Sequence, residues 1–172
     1  MQQPSTTCKV LAWAGIIPYL LILAAVSMNK IYSLIGYIPS PNHFSAVFLK
    51  LSDFIWPIAV VIVSTYTALI VTFIAGSQWG VASKLEEKSS TKVMVCSNLA
   101  MVFAWLGMLV PNWIISFVML LTCLWLVLLV DVRLTKHGIW SPAYLRLRIF
   151  ITASVSICLA ILLLYLGRPF YH

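Results

Sequence analysis

Long apolar runs alternate along this chain with short polar ones, and the apolar runs have the lengths of membrane-spanning helices. Crossing ~30 Å of hydrocarbon takes about 20 mostly apolar residues in a helix. The first such run extends from Val10 to Asn29, between Lys9 and Lys30, and its Gly15–Pro18 portion predicts a kink. Phe54 to Ser83 is uncharged for 30 residues, about 45 Å as a helix. Trp56-Pro57 suits a start at the headgroup level, which sets the second span at 59–82. Val93 to Val130 is uncharged for 38 residues. One helix of that length would measure about 57 Å. The run therefore divides at the turn signal Pro111-Asn112 into a hairpin of spans 93–109 and 113–130, with Trp105 and Trp113 flanking the turn. The last span, 149–166, is expected to be entered from a helix that starts at Ser141-Pro142, an N-cap followed by proline at the first helical position. Gly167, Arg168 and Pro169 end it.

The connections are uneven in character. Residues 30–53 are apolar for a loop: IYSLIGYI is broken by Pro39-Ser40-Pro41, and Phe44, Val47, Phe48 and Leu51 then recur at helical spacing. A short helix lying in the interface is expected there, with a lid or substrate loop as the alternative. Residues 84–92, KLEEKSSTK, form an exposed loop, and 131–148 form a second polar loop. With the N-terminus inside, the inner segments hold Lys9, Lys84, Lys88, Lys92, Arg133, Lys136, Arg146 and Arg148, against Lys30, Lys50 and Arg168 outside. The expected fold is therefore all-α: a single membrane domain over 1–172, a polytopic bundle of five transmembrane helices with the N-terminus inside and the C-terminus outside.

Composition narrows the function classes. The chain is 62% hydrophobic and 9% charged, whereas a soluble domain carries about 25% charged residues. A net charge of +7 does not indicate nucleic acid, because the basic residues lie between apolar spans. The first run is longer than the roughly 7–15-residue core of a removable signal peptide. No internal repeat points to a transporter with inverted halves.

Candidate chemistry is sparse. Ser64, Ala68, Thr72, Gly76 and Gly80 recur every fourth position, a small-residue face expected to pack centrally against neighbouring helices. Gln78, with Trp79, lies near the inner end of the second span. An amide that deep needs partners; Ser97 or Asn98 could supply a hydrogen bond, or the group could line a polar pocket opening inward. Asp131, Arg133, Arg146 and Arg148 gather at the inner surface, either as an anchor with one ion pair or as a site for an anionic headgroup. No Asp, Glu, Lys, Arg or His lies inside the proposed spans, which argues against a proton-coupled carrier working alone. His43, His137 and His172 fall on different segments, and Cys8, Cys96, Cys123 and Cys158 lack metal-ligand spacing. No metal, no cofactor and no catalytic set is expected.

One set of residues carries a resemblance: Ile17-Pro18, the run Phe73 to Gly80 (FIAGSQWG), Trp105, Asp131, and the run Gly138 to Arg148 (GIWSPAYLRLR) with Thr152. This pattern resembles the uncharacterised membrane family numbered 3429 among the domains of unknown function, which includes bacterial proteins and animal transmembrane protein 69. The likeness covers most of the chain. It implies a small multi-span protein of bacterial inner or mitochondrial membranes, and no activity. Histidine is common in the family pattern where this chain has Gln78, which weighs against an essential titrating group at that position.

The expected function is that of a structural, assembly or interaction protein of the membrane, with membrane lipids, anionic headgroups among them, and other membrane proteins as partners. The alternative is a small-solute transporter or channel subunit, in which Gln78, Asn98, Thr65, Thr67 and Thr72 would line a route. An intramembrane enzyme is the third class, since the Asp131–Arg148 region holds ionisable groups.

Overall fold

The computed structural model describes residues 10, 13–35 and 43–166, and the side chains of 10, 13–27 and 57–164. The break at residues 39–41, Cys8 and the chain end at 167–169 lie outside the described residues. Five long helices follow one another among the described residues: α1 (Ile17–Ile35), α2 (His43–Ala82), α3 (Glu87–Leu109), α4 (Trp113–Lys136) and α5 (Pro142–Leu166). Among the described residues there is no strand. Four stretches among the described residues are long and apolar enough to cross a membrane: Pro57–Ala82, Glu87–Leu109, Trp113–Lys136 and Pro142–Leu164. The protein is thus an all-α, multi-pass membrane helix bundle.

The chain turns at Gly15-Ile16, and α1 restarts at Ile17 with Tyr19 and Leu20 donating to the Ile16 carbonyl. The largest departure from the sequence reading is α2. Instead of a short interfacial helix at 43–51 and a separate span from 59, one 40-residue helix runs straight through Pro57. Proline removes one backbone donor, and its ring crowds the carbonyl four residues earlier. Nothing else between His43 and Ala82 is a strong helix breaker, so the helix continues.

The α3–α4 turn falls at residues 110–112. Asn112 caps α4 by accepting from the backbone N–H of Ile114 and Ile115. At its other end α4 does not stop at the first charge. It continues past Asp131 to Lys136, where Gly138 (φ 73°) closes it: Gly138 N–H donates to the Thr135 carbonyl and Ile139 N–H to Leu134. This pair of bonds needs a left-handed residue, which glycine supplies without strain. The polar loop therefore shortens to a few residues, and Ser141 Oγ accepts from Tyr144 N–H to start α5.

Helices α2, α3 and α4 pack mutually, while α1 bridges α2 and α5 and α5 returns to α4. Their shared core is built on Tyr19, Val63, Val71, Phe117, Leu124 and Leu159. Tyr19 and Thr67 share a hydrogen bond at 2.8 Å, and Tyr66 donates to the Gly15 carbonyl at 3.1 Å, tying α1 to α2.

The small-residue face of α2 is not the central packing surface. Ser64 and Ala68 are buried, but Thr72, Gly76 and Gly80 are exposed, and a Cβ on either glycine would meet nothing within 4 Å. The cause is helical geometry. At 3.6 residues per turn, each four-residue step advances about 40° around the axis, so Ser64 and Gly80 stand about 160° apart. The buried positions, Val63, Thr67, Val71, Ile74, Gln78 and Ala82, follow the true period. Close approach is made by α3, through Ser97, Ala100, Ala104 and Gly107. A Cβ at Gly107 would sit 3.4 Å from Met119 Cβ. Gly76→Leu and Gly80→Leu should accordingly leave the unfolding of the isolated protein within about 0.5 kcal/mol of the parent, while Gly107→Leu should lower it clearly. Equal losses for all three, measured by thermal unfolding in detergent, would contradict this packing.

Candidate functional site

The two polar groups of the sequence form one structure. Gln78 reaches from α2 toward α4 and is fully buried. Its Nε2 donates to the Val127 carbonyl at 2.7 Å and to Asp131 Oδ1 at 2.9 Å, and its Oε1 accepts from Ser97 Oγ of α3 at 2.8 Å. Both partners of Nε2 are acceptors only, and this fixes the orientation of the amide. Val127 and Asp131 are one turn apart on α4, so a single amide nitrogen spans them. The other carboxylate oxygen, Asp131 Oδ2, accepts from Arg148 Nε of α5 at 2.9 Å. The result is a chain, Ser97–Gln78–Asp131–Arg148, that links four helices.

Burial gives the chain its leverage. The Asp131 side chain is 1% exposed and that of Arg148 11%. A carboxylate so placed is tolerable only if paired and hydrogen-bonded. Asp131 has both, from Arg148 and Gln78. Two buried donors complete the surroundings: Arg148 Nη2 and Trp140 Nε1 have no hydrogen-bond partner among the described residues. The Trp140 and Tyr144 rings lie 4.7 Å apart in a tilted arrangement, and Trp140 packs against the cluster of Ala82, Val93, Val130 and Leu134.

The remaining sequence candidates lie elsewhere. Trp79 and Asn98 are exposed, so neither belongs to a pocket with Gln78. Arg133 and Arg146 are also exposed and take no part in the ion pair. The threonines do not converge on a common route. Thr67 donates to its own helix at Val63 and meets Tyr19 in the core. Thr65 and Thr72 line an apolar groove of about 440 Å³ between α2 and α3, with Ala68, Met101 and Trp105, which neither Thr67 nor Gln78 enters. Cys123 and Cys158 are buried as free thiols in the core. Among the described residues no three His, Cys, Asp or Glu side chains form a group that could hold a metal ion.

Sequence reading placed Gln78 and Asp131 in different clusters because they belong to different helices and different polar runs. Their joint membership of one site had no local signal. The family comparison bears on this geometry. The family described as "Protein of unknown function (DUF3429)" matches residues 4–164. The chain belongs to it. No curated protein and no solved structure gives a match. Asp131 and Arg148 lie in the stretches that carry the family resemblance, and they meet Gln78, the position at which the chain departs from it, in the buried polar chain.

Proposed function

We propose that this DUF3429 protein is a structural or assembly component of a membrane, bound to other membrane proteins through its lipid-facing surface. The observation that supports this reading is that the amide of Gln78 and the carboxylate of Asp131 are satisfied within the bundle. Every hydrogen-bonding atom of Gln78 is engaged by the protein itself, and the carboxylate of Asp131 is held by Gln78 and Arg148. A transport route would need polar groups free to receive a solute, and the groove between α2 and α3 is mostly apolar and separate from Gln78. The bare surface at Gly76 and Gly80 leaves a helix backbone open to close approach by a partner helix.

The test pairs two measurements. A photo-crosslinking residue at position 76 should form a discrete adduct with one membrane protein in intact cells, and Gly80→Leu in the same chain should abolish it. Purified protein in sealed vesicles should pass small solutes no faster than protein-free vesicles. Solute flux lost on substitution of Gln78 would overturn the reading in favour of a transporter or channel subunit.

The finer arrangement is part of the same proposal: five spans, with α1 and the turns before it as the first, the N-terminus inside, the C-terminus outside, in a bacterial inner membrane or its mitochondrial counterpart. The basic residues support it, at 8 inside against 3 outside in this orientation. Single cysteines at Ser89 and Asn42, in a variant without native cysteines, should react with an impermeant reagent only at position 42 in intact cells. Labelling at 89 alone would invert the orientation.

A further inference from the structure

Arg133, absent from the ion pair, belongs to a different feature. It lines an open cavity of about 830 Å³ with Glu86, Glu87, Lys88 and Lys92, between the amino end of α3 and the carboxyl end of α4. Val95 and Cys96 also line it. Three observations together point to a ligand. First, the cavity holds charges of both signs, yet among the described residues no ion pair joins these glutamates to Lys88, Lys92 or Arg133. Unpaired opposite charges around one space are arranged for something that carries both.

Second, the depth is that of lipid headgroups. Lys92 and Arg133 bracket the α3–α4 hairpin, whose uncharged run extends from Val93 to Val130. Both therefore stand at the same membrane boundary, where basic residues meet phosphates.

Third, the lining changes character with depth. Moving outward along α3, apolar Val95 comes first, then Lys92 about 4.5 Å further out, then Lys88 and Glu87 about 6 and 7.5 Å beyond Lys92. An apolar inner end, cations above it and the two glutamates outermost suit acyl-glycerol, phosphate and ammonium in that order. Lys88 sits one turn out from Lys92 on the same face, so its ammonium can also reach the phosphate. No aromatic side chain lines the cavity. Quaternary ammonium groups are recognised by aromatic cages, whereas a primary ammonium donates hydrogen bonds to carboxylates.

We propose that this cavity binds a phospholipid headgroup carrying a phosphate and a primary ammonium, as in phosphatidylethanolamine, with Lys92 and Arg133 on the phosphate and Glu86 and Glu87 on the ammonium. The inference is independent of the assembly reading, since it concerns the inner rim of the bundle and not the face bearing Gly76.

Native mass spectrometry of the delipidated protein in detergent tests it, with equimolar dioleoyl phosphatidylethanolamine, phosphatidylcholine and phosphatidylglycerol as probes. Phosphatidylethanolamine should be retained at least about tenfold over phosphatidylcholine, since only its ammonium donates hydrogen bonds to the carboxylates. The pair Lys92→Gln with Arg133→Gln should cut retention of phosphatidylethanolamine and phosphatidylcholine alike, by about tenfold or more. Glu86→Gln with Glu87→Gln should abolish the discrimination and leave phosphatidylcholine retention unchanged. Lys136→Gln, exposed and outside the cavity, is the control and should change nothing. These side chains are exposed, so all variants should melt with the parent protein. Equal retention of phosphatidylethanolamine and phosphatidylcholine would overturn the proposal, as would a preference for phosphatidylglycerol. Displacement of bound lipid by inorganic phosphate at millimolar concentration would also overturn it, marking a free-phosphate site instead.

Discussion

Arg148→Gln should be among the most damaging single substitutions in this protein, lowering unfolding stability by about 3–5 kcal/mol, the usual cost of breaking a buried ion pair from one side. Its guanidinium is the only cation within salt-bridge distance of Asp131 among the described residues, and both side chains are shielded from solvent. Removing it leaves a carboxylate buried beside lipid with only the Gln78 amide to hold it. Asp131→Asn should cost less, because a neutral amide still accepts from Gln78 Nε2. The combination Asp131→Asn with Arg148→Gln should recover a large part of the Arg148→Gln loss. Arg146→Gln should be close to neutral and should add to Asp131→Asn without coupling, since Arg146 is exposed. A double-mutant cycle on unfolding in detergent measures this directly. Coupling to Arg146, or none to either arginine, would refute the assignment.

The second large effect is expected at Gln78. Gln78→Met keeps nearly the same volume but removes three hydrogen bonds, to Ser97, Val127 and Asp131. The Val127 carbonyl lies in the interior of α4, and a serine hydroxyl can turn to its own helix. Asp131 Oδ1 has no such recourse and would be left without its donor. The expected loss is about 2–4 kcal/mol, most of it from the carboxylate. Ser97→Ala should cost only about 1 kcal/mol. If Gln78→Met and Ser97→Ala destabilise equally, the amide does not brace Asp131. Coupling between Gln78→Met and Asp131→Asn is the sharper check, because the first substitution should matter much less once the carboxylate is gone.

These two expectations rest on contacts that no stretch of sequence contains. Gln78 and Asp131 are 53 positions apart, and Asp131 and Arg148 are 17 apart. The amide's need for a partner was legible, since an unsatisfied polar group in a membrane is costly. Ser97 was one of two residues near enough along the neighbouring helix to supply it. The carboxylate as a second partner was not legible, because the sequence placed Asp131 in a loop. A charge after a long apolar run reads as the end of a span. Here it is the pairing with Arg148 that lets α4 carry an aspartate further, to a stop at Gly138.

By itself, the sequence determined that the chain is all-α and multi-pass. It also determined where the apolar helices of the second half begin and turn: the break at 110–112 and the start of α5 at Pro142. Those features are local. Lipid offers the backbone no hydrogen bonds, so an apolar run of sufficient length must be helical, and proline, asparagine and serine act on their own turn. Tertiary structure alone decided which side of each helix faces inward. A four-residue repeat of small side chains drifts around a 3.6-residue helix, so Gly76 and Gly80 came out bare while Gly107 of α3 lies at a close helix crossing. It also divided one basic cluster in two, drawing Arg148 to a buried carboxylate and leaving Arg133 in a cavity with Lys88 and Lys92. The physical reason is the same in both cases. Periodicity and charge count describe one helix or one loop at a time, whereas the partner that satisfies a buried group comes from whichever helix packs against it.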